Sequence, residues 1–246
     1  MLALMSKKKS NTPRPEALSQ ILFMQGFGTR RECEGLVFHG LVQVQGEVVD
    51  DPDAEFLSDG LSISVDGMVW ICHDVALVML HKPAGYECSL KPGAWPGVHN
   101  LLPVPLRRRG LQPVGRLDQD TTGLLLLTDD GPLLHKLTSP KHHVPKVYEV
   151  TVKHPLDESQ QAALLAGVVL DDDPQPVKAE AADIVSDHHL RLTLTQGKYH
   201  QVKRMLAAVG NRVEALHRSR IGRLPVPDDL APGQWRWLDD PSLVLP

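Results

Sequence analysis

The sequence predicts an α+β protein in two parts: a small N-terminal module of helices and short strands, and a larger domain with a mixed, mainly antiparallel sheet flanked by helices. Three observations lead there. Strand-like runs in the larger part are separated mainly by hairpin turns or single helices, without a regular βαβ alternation. The stretch after the N-terminal tail reads helix, helix, strands over about fifty residues. The chain, at 246 residues, is long enough for one large core plus a small module.

Residues 1–15 carry Lys, Ser, Asn and two prolines without apolar periodicity and read as a disordered tail with a cationic run at Lys7 to Lys9. The module spans residues 16–66. Leu18, Ile21, Leu22 and Phe23 suit one face of a short helix stopped by Gly26 and Gly28. Thr29 is placed to cap a second helix that runs through Glu32 to Phe38, before Gly40. Leu41 to Val44 and Glu47 to Val49 flank Gln45-Gly46 as a hairpin, and Leu61 to Val65 is a further strand. Residues 67–76 form the expected linker, with Asp66 to Asp74 bridging to the larger domain at 77–246.

In that domain Ala76 to Leu80 reads as a strand leading into the turn Lys82-Pro83-Ala84-Gly85, from which Lys82 is expected to reach outward. Lys91 to Pro105 is rich in Pro and Gly and reads as a loop, with Arg107-Arg108-Arg109 exposed after it. Strands are expected at Leu124 to Leu127, Val147 to Val152, Ala179 to Val185 and Leu190 to Leu194. Helices are expected at about Gly131 to Leu137, Asp157 to Leu165 and His200 to Val209, the last closed by Gly210.

A chain that is 42% hydrophobic and 23% charged is ordinary for a soluble globular protein. Cys33, Cys72 and Cys88 make an odd count without C-x-x-C spacing, which supports neither a disulfide framework nor a zinc knuckle and points to a reducing compartment, the cytosol. No run approaches the about 18 apolar residues of a membrane span. The paired histidines His142-His143 and His188-His189 lack the spacing and partners of a tetrahedral site, so no metal is expected. Neither a P-loop nor a Rossmann glycine pattern is present, and no cofactor is expected. The net charge of −4 argues mildly against a nucleic-acid binder. The cations, however, cluster at Arg30-Arg31, Arg107 to Arg109, Lys198 to Arg204 and His217 to Arg223, apart from acidic Asp50 to Glu55 and Asp171 to Asp173, which permits a basic groove. Without an exposed apolar stripe, the chain is expected to be a monomer.

The most informative run is Pro113 to Gly123, followed by Leu124 to Leu127. Gly115 allows a tight approach, Arg116 and Asp118 stand too close for both to hide in a core, and Thr121-Thr122-Gly123 feeds a wholly apolar strand. A buried strand therefore presents a loop built around Asp118. The pattern from Gly115 to Leu124 resembles the central motif of RNA pseudouridine synthases of the RsuA branch, which acts on ribosomal RNA. Three further segments match in order: Leu80 to Tyr86, Lys146 to Val150 and Gly197 to Met205. The N-terminal module, with Thr29-Arg30-Arg31 and Gly40 to Gly46, resembles the S4 domains that precede the catalytic domain in this family, although Glu32, Glu34, Glu47 and Asp50 to Asp53 make it less basic than an RNA clamp.

The resemblance implies isomerisation of one uridine: the N1 to C1′ bond breaks, the base turns, and C5 joins C1′, with no redox or hydrolytic step. One ionised carboxylate suffices, as nucleophile or as stabiliser of an electron-poor sugar, and by motif position it is Asp118. Lys203 is assigned as its cationic partner, with Arg204 as runner-up, since the two point about 100° apart on a helix and only one enters the site. The resemblance implies that Tyr148 is a third catalytic residue, which stacks on the target base and assists proton removal, and that Arg116 enters the space the extruded nucleotide leaves. Lys82, Arg30, Arg31, Lys198, His200, Gln201 and Arg204 are the remaining expected RNA contacts. Asp120 is expected to face away from Asp118, and Thr121 to Gly123 to shape the loop through local hydrogen bonds.

The segments around Tyr86, Thr138 to His143 and Tyr199 to Met205 are more similar to the small-subunit RNA enzymes, whereas Gly26 to Arg31 is closer to the large-subunit branch. Small-subunit ribosomal RNA is the expected partner and large-subunit RNA the alternative. A non-catalytic ribosome-assembly factor is the rival from another class. A carboxylate-dependent hydrolase would need a second acid or a metal that the sequence does not offer.

Overall fold

The computed structural model describes residues 14–171 and 173–244, so the expected tail lies, apart from Arg14 and Pro15, outside the described residues. The chain divides into two units, one running to Asp74 and taking in Val104–Arg109, the other made of Val75–Pro103 and the chain from Gly110.

The first unit contains β1 (Glu16–Ala17), α1 (Leu18–Gln25), α2 (Arg30–Phe38), β2 (Val42–Val44), β3 (Glu47–Val48), β4 (Glu55–Phe56), β5 (Ser62–Val65), β6 (Met68–Ile71) and α3 (Val104–Arg108). Leu18, Ile21 and Leu22 are fully buried on α1, while Phe23, expected on the same face, is turned outward beneath the guanidinium of Arg30. Gly26 ends the helix in a left-handed conformation, φ 87°, where a Cβ would stand 2.2 Å from the carbonyl oxygen of Pro105. Thr29 caps α2 as its sequence indicates: its hydroxyl accepts the Glu32 N–H at 3.3 Å and Glu32 accepts the Thr29 N–H at 2.6 Å, a reciprocal arrangement that satisfies two otherwise unpaired N–H groups.

Two expectations are corrected here. The segment taken as a bridge, Asp66 to Asp74, contains β6, which closes the antiparallel sheet β3-β2-β5-β6 and buries Trp70. Its Gly67 turn and polar flanks mask a strand whose apolar residues are mostly outside the core. Of the arginines after the loop, Arg107 and Arg108 are exposed as expected, but Arg109 is half-buried. Arg109 donates to the Gln25 side chain at 3.0 Å and to the carbonyls of His73 and Asp74 at 2.7 and 3.1 Å, and the buried Gln25 in turn accepts from Trp70. A buried polar side chain needs such partners, and Arg109, directly after α3, supplies one from later in the chain.

The second unit is built on a nine-stranded sheet. Its elements are β7 (Leu77–Lys82), β8 (Gln112–Pro113), β9 (Thr122–Thr128), α4 (Gly131–Thr138), β10 (Lys146–Val152), α5 (Glu158–Ala166), β11 (Val168–Leu170), β12 (Asp173–Val177), β13 (Ala181–Ser186), β14 (His189–Leu194), α6 (Gln201–Ala208), β15 (Val213–Ile221), β16 (Leu224–Pro225) and β17 (Trp235–Trp237). The main path runs β13-β14-β10-β15-β9-β7-β17, all antiparallel except the β15 to β9 pair, with β16 on β15 and β8 on β9. This is the mixed, mainly antiparallel sheet that the sequence predicts. Leu124, Leu125, Leu126 and Leu127 of β9 have no exposed surface, as befits a strand covered on both faces. Leu124 and Leu126 join Leu77, Met79, Leu137 and Ile221 in one core cluster. Each buried leucine contributes about 1.5–3 kcal/mol, so this strand is a rigid base for the loop before it. Among the described residues no helix is long and apolar enough to cross a membrane.

The longest strand, β15, is absent from the sequence expectations. Its run Val213 to Ile221 carries Glu214, His217, Arg218 and Arg220, and reads as a cationic surface cluster. Direct pairing with β9 and β10 puts it inside the sheet instead.

Candidate active site

Loop Arg116 to Thr121 lies between β8 and β9, and its shape is set from below. Lys82, the last residue of β7, has no exposed surface. Its ammonium donates to the carbonyls of Thr121 at 2.7 Å, Asp118 at 3.0 Å, Pro83 at 3.1 Å and Gln119 at 3.2 Å. Lys82 therefore does not reach outward and is not available to RNA: its donors are spent on backbone oxygens, and the following Pro83 and Gly85 turn the chain back over it. Burial pushes its pKa down, against the opposing charges of Cys88, Asp120 and Asp118. Gly85 N–H adds a bond to the Gln119 carbonyl at 2.9 Å.

A turn over Asp118 to Thr121, closed by the Thr121 N–H to the Asp118 carbonyl at 3.1 Å, brings two carboxylates to one side. Lys203 on α6 meets both. Its Nζ is 3.0 Å from Asp118 Oδ2, 2.7 Å from Asp120 Oδ1 and 3.0 Å from Asp120 Oδ2. The expectation that Asp120 faces away is thus overturned: the segment is a turn, and even on an extended strand residues i and i+2 share a face. Burial acts to raise the Asp120 carboxyl, but the Lys203 hydrogen bond and charge outweigh it and hold the pKa below the ordinary range. The same two carboxylates raise Lys203 above its ordinary value although burial works the other way.

His200 precedes α6 in a left-handed conformation, φ 48° and ψ 33°, with Nε2 3.3 Å from Asp118 Oδ1. Asp118 is therefore addressed on one oxygen by an imidazole and on the other by an ammonium, on a loop whose carbonyls are clamped by a buried lysine. Of the two basic residues weighed for Asp118, Lys203 is the one in contact. Arg204 Nη1 donates to the Tyr199 carbonyl at 3.0 Å. Gln201, expected to touch RNA, is buried, accepting the Lys198 N–H at 2.8 Å and donating toward Met205 Sδ at 3.7 Å. Its polarity serves the turn that presents Lys198 and His200. Arg116 is exposed beside Asp118 in sequence, while Arg30 and Arg31 belong to α2 of the other unit.

Tyr148 is buried on β10, opposite Leu192 of β14 and Arg218 of β15. Among the described residues no hydrogen bond joins it to Asp118. Arg218 is the residue that sequence reasoning missed. It is 2% exposed, its Nε donates to the Leu124 carbonyl at 2.8 Å, and its charge helps to lower the pKa of Lys82 and, after burial, of Lys146, which falls to about 8. The register of β15 against β10 shifts between Tyr148 and Val147, a bulge beside the Tyr148 to Arg218 pair. Gly123 is needed where β9 meets β15: at φ 109°, a Cβ there would stand 2.3 Å from the Arg218 carbonyl oxygen. Nor do the threonines act only locally, because Thr122 Oγ1 is 2.9 Å from His217 Nδ1 on β15.

The arrangement offers one anchored carboxylate between two basic groups, suited to attacking or stabilising an electron-poor carbon. Among the described residues no three His, Cys, Asp or Glu side chains are grouped as a metal site.

Comparison with known proteins places the chain among relatives of known family. A family model described as RNA pseudouridylate synthase matches residues 76–208, and an S4 domain model matches residues 18–56. The ribosomal small subunit pseudouridine synthase A of Pasteurella multocida is 41% identical over 212 residues, covering 85% of this chain and 90% of that protein. Its namesake from Escherichia coli strain K12 is 38% identical over 227 residues, covering 89% and 95%. A crystal structure described as a pseudouridylate synthase is 35% identical, with a TM-score of 0.65 over 93% of this chain and 98% of its own.

Proposed function

Because the chain belongs to the RNA pseudouridylate synthase family, we propose that it converts one uridine of small-subunit ribosomal RNA to pseudouridine, with Asp118 as the reacting carboxylate. The observation that carries the residue assignment is the setting of Asp118: Lys203 and His200 on its two oxygens and Lys82 beneath its backbone. Support for the small subunit comes from the names of the relatives that match most of the chain.

The reaction is an isomerisation. The N1 to C1′ bond breaks, the C5 to C1′ bond forms, and the proton lost from C5 is balanced by one gained at N1, so no co-reactant is consumed. Asp118 supplies negative charge at C1′ as the uracil departs, or adds covalently. Lys203, 3.0 Å from Asp118 Oδ2, places a positive charge against the carboxylate as the substrate covers the site. Tyr148 holds the flipped uracil and Arg116 occupies the gap it leaves in the RNA, as an aromatic face and a planar guanidinium are suited to do. Lys198, Arg204, Arg30 and Arg31 contact phosphates. The protein works as a cytoplasmic monomer, without a cofactor, with its 16–66 segment positioning the RNA.

The test is to incubate the purified protein with ribosomal RNA from cells lacking it and to map carbodiimide-dependent reverse-transcription stops on both subunit RNAs. One new stop in small-subunit RNA is expected. A stop in large-subunit RNA alone would reassign the target, and none in free RNA or assembly particles would favour a binding factor.

A further inference from the structure

Tyr199 is 69% exposed, yet it is not a loosely hung side chain. Its ring stacks on that of His200, centroids 3.8 Å apart and planes 22° from parallel. His200 is the imidazole that stands 3.3 Å from Asp118. One face of the tyrosine is thus covered by a residue of the site, and the other is open to solvent. The backbone on both sides is pinned: the buried Gln201 accepts the Lys198 N–H at 2.8 Å, and Arg204 donates to the Tyr199 carbonyl at 3.0 Å. His200 is held left-handed, a conformation that a side chain bearing a Cβ adopts only at a cost.

We propose that the open face of Tyr199 is a stacking platform for an unpaired nucleobase adjacent to the target uridine, holding the strand apart while that uridine is turned toward Asp118. The inference rests on the reading of the chain as an RNA pseudouridine synthase and adds a binding residue to it. A base is the ligand that fits: it is flat, offers a π face whatever its identity, and comes attached to phosphates that the neighbouring Lys198 attracts. A rigid, half-covered aromatic ring stacks such a base with little ordering cost, because its own conformation is already fixed. Apolar peptide side chains fit less well, since the surroundings are cationic rather than greasy.

The test uses a short RNA stem-loop carrying the uridine that the wild-type protein modifies, with 2-aminopurine on its 5′ or its 3′ side. Quenching of the fluorophore at one flank is expected on binding of the wild-type protein. Tyr199→Ala should abolish that quenching and raise KM roughly 5- to 100-fold, the range that loss of one stacked base implies, with kcat at saturating RNA within about threefold of wild type. Tyr199→Phe and Tyr199→Trp should retain both signals, because the ring and not the hydroxyl is used. Absence of quenching at both flanks would overturn the proposal, as would a Tyr199→Ala variant that loses kcat at unchanged KM or matches wild type in both. Failure of the wild-type protein to form any pseudouridine would instead defeat the synthase reading, and this proposal with it.

Discussion

Lys203 places its ammonium 3.0 Å from Asp118 Oδ2 and 2.7 Å from Asp120 Oδ1, so that one cation from α6 serves two carboxylates of one turn. Removing it takes the ion-pair partner from Asp120 and, among the described residues, leaves Asp118 facing His200 alone. Lys203→Met is expected to lower kcat by about 10²–10³-fold, the usual loss for a preorganised charge partner, with a smaller change in KM. Asp120→Asn leaves Lys203 to Asp118 alone and should cost less than tenfold, about 1.4 kcal/mol or below. Steady-state kinetics on RNA lacking the modification separates the two.

Lys82 should behave as a structural residue. Four carbonyls of the Asp118 loop and its neighbours lose the Lys82 donor in Lys82→Met, although those of Asp118 and Gln119 keep backbone N–H donors, and the protein is expected to be destabilised by about 2–4 kcal/mol. Urea unfolding checks this. Lys82→Arg should not rescue, because a planar fork cannot replace a compact ammonium in a fully buried position.

At Gly123 the prediction is steric. A Cβ 2.3 Å from the Arg218 carbonyl and a backbone at φ 109° together oppose any side chain. Gly123→Ala is expected to lose more than about 2 kcal/mol of stability, read as a fall in Tm.

Lys146 gives a pH signature. Burial and the neighbouring Arg218 pull its pKa to about 8 in the folded protein, below the ordinary lysine value of 10.5. Between those values the unfolded chain binds the extra proton, so stability contributed at this position rises with pH across that window. Lys146→Met should be more stable than the parent at pH 7, and its margin should shrink from pH 8 toward 10.5. Paired denaturation curves across that range measure it.

Much of this was legible in the sequence because local chemistry and periodicity agreed. The Leu124 to Leu127 run announced a doubly covered strand, and Thr29 followed by Glu32 announced a helix start. The loop with Asp118 stood out by its glycines and charges. What escaped notice depended on contacts distant in sequence. Arg218 looks like a surface cation until β9 and β10 are known to flank it. Lys82 looks like an outward turn residue until the carbonyls of a loop some 36 to 39 positions away gather around it. Asp120 and Gln201 differ, because local geometry places both: residues two apart share a face, and the Gln201 amide accepts the Lys198 N–H three residues before it and donates toward Met205 four residues after it.

The central claim is that the Asp118 carboxylate carries the chemistry, and Asp118→Asn tests it most directly. The variant keeps the size of the side chain and the clamp of Lys82 on the backbone. With ribosomal RNA lacking the modification, it should fold and bind RNA within a few fold of wild type and leave no carbodiimide-dependent stop where wild type leaves one. A stop of wild-type intensity from the purified variant would contradict the account.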